Sequence, residues 1–158
     1  MKYIFIDIDG VLNPNVLLED FRVIPKKEGL PEYLEERYPI FLKNEQGQWL
    51  NSLSARTGAK LIWGTSWKNY ANEAVGSKIG LPHMPYMPIR REKEGESYGL
   101  VKAQAVQRYT RGSKFVYFDD KADLGSFFRG MNGLHIYTDP RIGITVSHIK
   151  VAEKFLNN

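Results

Sequence analysis

A chain of 158 residues with 42% hydrophobic and 25% charged residues has enough apolar material for one packed domain, 1–158, and is short for two. The absence of cysteine excludes disulfides, thiolate nucleophiles and thiolate-held zinc, and it fits a reducing cytoplasm. The formal net charge of +4 hints at an anionic partner, but the basic residues are scattered, and Lys26-Lys27 and Arg90-Arg91 are each followed by Glu, as on a plain solvated surface.

The first element is the apolar run Tyr3-Ile4-Phe5-Ile6, which reads as a buried parallel-sheet strand. Asp7 and Asp9 interrupt it, so no signal peptide is credible, and no run elsewhere reaches membrane-spanning length. Asn13-Pro14-Asn15 breaks the chain, and an irregular insert follows over about 14–43, holding a charged patch, Glu32 to Arg37, suited to a short helix, and a brief strand at Ile40-Phe41-Leu42. Asn44 is expected to cap a helix with Trp49, Leu50 and Leu53 on one face and Gly58 as its stop. Leu61 to Gly64 is a second buried strand, running into Thr65-Ser66-Trp67, and a helix with Ala71, Ala74 and Val75 inward ends near Gly76.

The Pro- and Met-rich stretch from Gly80 to Pro88 has no periodicity and reads as a loop; it lies within a loop over about 81–99 whose charged part, Arg90 to Tyr98, reads as exposed or mobile. Val101 to Tyr109 is a helix stopped by Gly112, Phe115 to Phe118 is a third buried strand ending on Asp119-Asp120, and Leu134 to Tyr137 is a fourth. Thr145 caps a closing helix with Val146, Ile149, Ala152 and Leu156 inward. Strands alternating with helices predict an α/β fold, a Rossmann-like three-layer arrangement about a mainly parallel sheet.

Carboxyl ends of parallel strands are where such sheets bind ligands, and here three of them carry chemistry: Asp7 and Asp9, Thr65 and Ser66, Asp119 and Asp120. Carboxylates gathered at one rim repel one another, and a hard divalent cation relieves that; oxygen-only donors favour magnesium. Lys102, near the start of the helix before the Asp119 strand, is placed to set an ammonium over the same rim. Hydroxyl, ammonium and Mg2+ together make a receptor for a phosphoryl group.

Asp7-Ile8-Asp9-Gly10-Val11, the strand ending in Thr65, the helix-borne Lys102 and the strand ending in Asp119-Asp120 resemble the four ordered motifs of the haloacid dehalogenase (HAD) superfamily. Leu12-Asn13-Pro14, Gly64-Thr65-Ser66-Trp67 and the tail Asp139-Pro140-Arg141-Ile142-Gly143 leading to His148 are similar to a narrower group of small phage and actinobacterial members, which also occur as domains of predicted RNA-repair proteins.

The resemblance implies a phosphatase in which Asp7 attacks phosphorus to give an aspartyl-phosphate and Asp9 protonates the leaving oxygen and then activates water. Mg2+ would be held by Asp7, Asp9 (through its backbone carbonyl), Asp119 and Asp120, and phosphoryl oxygens by Thr65, Ser66 and Lys102. Asp119-Asp120 fits the paired form of the fourth motif and Asp119 with Asp123 the spaced form; the pair is favoured. Lys93 and Lys114 compete with Lys102 for the third motif, and Thr65 or Ser66 could instead cap the next helix. His83, His135 and His148 read as loop, strand face and helix surface.

Neither insert is long enough for a folded lid domain, so the expected site is open. The reading is a phosphomonoesterase acting on a nucleotide or a terminal phosphate of DNA or RNA, with the basic charge mildly favouring a polyanion. A nucleic-acid- or partner-binding module with incidental hydrolysis and a phospho-acceptor signalling domain are the alternatives. The sequence is silent on oligomeric state.

Overall fold

The computed structural model describes residues 1 to 158. The central sheet has four parallel strands in the order β4 (Lys60–Trp63), β1 (Lys2–Ile6), β5 (Lys114–Asp119) and β6 (Gly133–Tyr137). Side chains alternate across it. Ile4, Ile6, Val116, Phe118 and Trp63 enter one core, and Phe5, Ile62, Phe115 and Tyr117 enter the other. The first core is closed by α2 (Asn44–Thr57), through Leu50 and Leu53, and by α5 (Val146–Leu156), through Ile149, Ala152 and Leu156. The second is closed by α4 (Tyr98–Thr110), through Ala105 and Val106, and by a 3-10 turn, Leu124–Phe128. Each buried side chain of this size is worth about 1.5–3 kcal/mol. With both faces covered, a one-residue slip of β1 or β5 would exchange the sets between two differently shaped cores, so register is fixed where it matters, at the strand ends. This is the three-layer α/β arrangement expected.

Several local expectations need correction. The insert is less irregular than its composition suggests: β2 (Arg22–Ile24) pairs antiparallel with β3 (Ile40–Leu42), and the short α1 (Glu32–Glu35) lies between them. Three residues, of which only Ile24 is buried, carry too little pattern to read as a strand. Lys43 rather than Asn44 is the N-cap of α2, because the Asn44 side chain accepts from Arg22 Nη2 at 2.8 Å instead of capping. Helix α4 starts three residues earlier than expected, at Tyr98, where the Ser97 hydroxyl accepts from the Gly99 amide. Val146 is 45% exposed and is not part of the core.

The Pro/Met-rich loop runs alongside β4, with Trp63 donating its amide to Pro85 and accepting from Met87. Part of the charged stretch beyond it is pinned, since the Arg90 guanidinium grips both oxygens of Glu96, at 2.8 and 2.7 Å. His148 lies in the first turn of α5, where its Nδ1 accepts the Thr145 amide at 3.0 Å while Thr145 Oγ1 accepts the His148 amide, a reciprocal cap rather than a free surface residue.

The tail loop braces the turn after β1. Asn15 donates its amide to the Pro140 carbonyl at 2.8 Å, Ile144 donates to the Val11 carbonyl at 2.7 Å, and the buried Thr138 hydroxyl donates to the Gly10 carbonyl at 2.7 Å. A side chain at Gly143 would meet the Val11 carbonyl oxygen at 2.5 Å, which explains a glycine in that tail.

Candidate active site

Asp7 is the first residue beyond β1, and its amide still bonds to Phe118 of β5, so its carboxylate stands at the rim beside the end of that strand. Asp119 closes β5 and is wholly buried, and Asp120 follows it. Carboxylate oxygens of Asp7, Asp119 and Asp120 all lie within 4.8 Å of one another. Gly10 makes the packing possible: its φ is +80°, and a Cβ there would stand 2.2 Å from Asp120 Oδ2. Asp123 lies apart from this cluster, accepting from the Ser97 hydroxyl at 2.5 Å beside Gly99.

Lys102 reaches the cluster from α4. Its Nζ donates to Asp7 Oδ2 at 2.7 Å and to Asp119 Oδ2, and the side chain is 2% exposed. Burial works against its charge, but Asp7 and Asp119 outweigh that and hold the ammonium protonated. Burial raises Asp119 to about 7 despite the opposing pull of Lys102, and it raises Asp120 too, with the Asp7 charge adding to the effect. Lys102 pairs with only two of the three carboxyl groups, and an added cation would relieve the repulsion among them.

His135, on β6, supports this end of the sheet. Its Nδ1 accepts the Gly125 amide at 3.1 Å, so its Nε2 carries the hydrogen and donates to the Asp119 carbonyl at 3.0 Å. Burial lowers its pKa, which keeps that neutral form.

Asp9 faces another way. Its Oδ2 accepts from Arg37 Nη1 at 2.7 Å and from Trp67 Nε1 at 3.0 Å, and its Oδ1 accepts from Asn13 Nδ2 at 3.0 Å. Asn13 also accepts the Phe41 amide at 2.8 Å, tying the turn after β1 to β3. At the end of β4, Thr65 is buried and its hydroxyl accepts the Trp67 amide at 3.3 Å, while Ser66 Oγ accepts from Arg37 Nη2 at 3.0 Å. Tyr33 of α1 donates its hydroxyl to the Ser66 carbonyl at 3.1 Å. The insert therefore forms one wall of the site with two side chains. Tyr117 clamps the same strand end from within the sheet, its hydroxyl donating to the Gly64 carbonyl at 2.7 Å.

Asp7, Asp9, Ser66, Lys102 and Asp120 border one open pocket together with Arg37, Tyr98 and Lys121. Asp119 and Thr65 are buried and do not line it. The last three of those bordering residues, and Trp67 as a partner of Asp9, were not among the expected site residues. Arg37 lies in a charged patch read as a short helix and Tyr98 in a charged stretch read as exposed or mobile, and nothing in their spacing points to a strand end. Trp67 adjoins Thr65-Ser66 and is the one the sequence came closest to marking.

A parallel sheet with acidic residues at two neighbouring strand ends, a hydroxyl at a third and a lysine reaching in from a helix is the arrangement of the HAD superfamily. The family model for the HAD domain in Swiss Army Knife RNA repair proteins matches residues 3–149, and the chain belongs to that family. No curated protein matches the sequence. Among solved structures, one described as a HAD superfamily (subfamily III A) hydrolase from Legionella pneumophila is similar, with 14% identity, a TM-score of 0.48, and coverage of 100% of this chain and 84% of that one. No helix is long and apolar enough to cross a membrane.

Proposed function

We propose that this chain is a magnesium-dependent phosphomonoesterase acting through an aspartyl-phosphate on Asp7, with a nucleotide or a nucleic-acid end as substrate. The observation that carries the reading is the gathering of Asp7, Asp119 and Asp120 within 4.8 Å of one another, with a buried Lys102 donating to the first two. The donor set suits Mg2+, being all hard oxygen. The three carboxylates and the Asp9 backbone carbonyl are the groups that would hold it. When bound, the ion supplies positive charge that screens the phosphate from the acidic cluster and polarises the phosphorus.

In the first step a carboxylate oxygen of Asp7 bonds to phosphorus as the ester P–O bond breaks, and Asp9 gives a proton to the leaving oxygen. In the second, water attacks the phosphorus and surrenders a proton to Asp9, which releases inorganic phosphate and restores Asp7. Lys102 keeps Asp7 oriented, since one Asp7 oxygen accepts from its Nζ and the other from the Ile8 amide at 2.7 Å. Ser66 and Thr65 offer hydroxyls to the phosphoryl oxygens. Arg37 holds Asp9 in the free protein, and an incoming phosphate dianion competes for that guanidinium, freeing Asp9 for proton transfer. A family named for RNA repair proteins agrees with a nucleic-acid end as substrate.

The test is a panel of an aryl phosphate, mononucleotides, and oligonucleotides with 5′- or 3′-phosphates, run with and without Mg2+ on the wild type and Asp7→Asn. Hydrolysis is expected only with Mg2+ and is expected to fall at least a thousand-fold in the variant, on the order of 4 kcal/mol of barrier. Full activity in Asp7→Asn would rule out the covalent route.

A further inference from the structure

Three open cavities are joined end to end, starting at the acidic cluster. The one over Asp7, about 400 Å³, shares Arg37, Ser66 and Tyr98 with a second of about 510 Å³. The second shares Lys68, Ile89 and Arg90 with a third of about 460 Å³, which reaches Tyr86 and Arg108. Glu92 is the only acidic residue lining the outer two, against Arg37, Lys68, Arg90, Arg91 and Arg108. Arg37 and Arg90 are committed to ion pairs with Asp9 and Glu96. Lys68, Arg91 and Arg108 form no ion pair, so their charge is available to a ligand. Tyr33, in the second cavity, is 42% exposed, and Tyr86, in the third, is 37% exposed, so both show ring surface to the groove.

From this path we infer that the groove is a track for a single-stranded polynucleotide, which lays its backbone along Lys68, Arg91 and Arg108 and delivers its terminal phosphate to Asp7. This rests on the phosphomonoesterase reading and names the substrate that its site is built for. Cations and exposed aromatic rings lining the same cavities match the chemistry of a nucleic-acid strand, in which every phosphate is followed by a base that can stack. An acidic peptide would use the cations but leave the rings idle. A duplex would have to unpair its end to bring a terminal phosphate down to Asp7, whose side chain is only 13% exposed.

The experiment compares kcat/KM for a terminally phosphorylated single-stranded oligonucleotide, its blunt duplex, the matching mononucleotide and an aryl phosphate, across a salt series, in wild type and in Arg91→Ala/Arg108→Ala. These two arginines touch neither the acidic cluster nor the Thr65-Ser66 hydroxyls. The wild type is expected to prefer the single strand to the mononucleotide by at least tenfold. The double variant is expected to lose most of that preference and to reduce the salt slope by about 1.4, the value for two phosphate contacts on a single strand, while hydrolysing aryl phosphate at the wild-type rate. Equal kcat/KM for single strand and mononucleotide in the wild type would overturn the track and leave the phosphatase reading standing. A matching loss on aryl phosphate in the variant would also overturn it, by showing damage to the site itself. If no phosphomonoester is hydrolysed, it is the phosphatase reading that fails. Fluorescence titration of the labelled oligonucleotide then decides the track: salt-sensitive binding weakened in the double variant supports it, and binding unchanged by the variant overturns it.

Discussion

Arg37 Nη1 lies 2.7 Å from Asp9 Oδ2, and its Nη2 lies 3.0 Å from Ser66 Oγ, so one guanidinium joins the insert to two of the strand ends that build the site. The planar fork of arginine makes both bonds at once, and a lysine ammonium at the end of a flexible stem does not. Arg37→Ala is expected to lower kcat/KM for phosphomonoesters by about 10- to 100-fold, the range of one charge-assisted bond of roughly 1.5–3 kcal/mol. Arg37→Lys is expected to recover less than half of that loss in logarithmic terms. Steady-state kinetics on the three proteins check it, and an unaltered kcat/KM in Arg37→Ala would remove Arg37 from the site.

Lys102 is the only cation that touches the acidic cluster, donating to both Asp7 and Asp119. Lys102→Met keeps the volume and removes the charge, leaving three carboxyl groups to repel one another. Breaking a buried ion pair from one side costs about 3–5 kcal/mol, and partial protonation of Asp119 softens this. The variant is expected to be inactive, to melt several degrees below wild type in chelator, and to regain more of that loss on adding Mg2+ than wild type gains. Calorimetry in EDTA and in Mg2+ reads the difference. An identical Mg2+ shift in both proteins would count against a metal at this cluster.

Gly10 and Gly58 separate two roles of glycine. Both have positive φ, at 80° and 73°, but a Cβ on Gly58 meets nothing within 4 Å, whereas one on Gly10 collides with Asp120. Gly58→Ala is expected to cost about 1 kcal/mol through backbone strain alone, or about 2–4 °C for a domain of this size, with activity intact. Gly10→Ala is expected to abolish hydrolysis because Asp120 must leave the cluster. Melting curves and rates measured side by side test the contrast.

His148 couples stability to pH. Burial lowers its pKa below the usual value of about 6.5, and its Nδ1 accepts the Thr145 amide. The unfolded chain therefore takes up the proton first. The cap's contribution is complete above about pH 6.5 and is lost as the pH falls through the lower folded value. Protonation would set a donor against a donor and a positive charge at the start of α5, where the helix dipole opposes it. Between pH 7.5 and 5.5 the wild type is expected to lose about 0.5–1 kcal/mol more stability than His148→Gln, which keeps an acceptor at the same place. Parallel pH titrations of Tm would show no difference if His148 were a plain surface residue.

The sheet is legible because its strands are continuous apolar runs bounded by glycine or acidic residues, and Asp7, Asp119 and Asp120 are legible because carboxylates at the ends of such runs are costly to bury without a cation or hydrogen-bond donors. Lys102 could be marked once its helix was placed, since that helix leads into the Asp119 strand. What the sequence does not show depends on contacts between segments distant along the chain. Arg37 is one charge in a charged stretch until β2 and β3 pair and carry α1 over Ser66. The tail from Asp139 to Gly143 is visible as a motif, but only the fold shows that Pro140 and Gly143 pack against the turn after β1. His148 looked like surface because a reciprocal cap has no periodic signal beyond Thr145 itself.

The wall that Tyr33 and Arg37 put over Ser66 is held by three side-chain hydrogen bonds, counting the one to Asp9. Admitting or releasing a ligand there asks for rotamer changes on the nanosecond scale rather than a swinging domain on the scale of microseconds to milliseconds. Turnover is therefore expected to be indifferent to solvent viscosity: thickening the medium with sucrose should leave kcat where it was, because no large body has to push water aside before product departs.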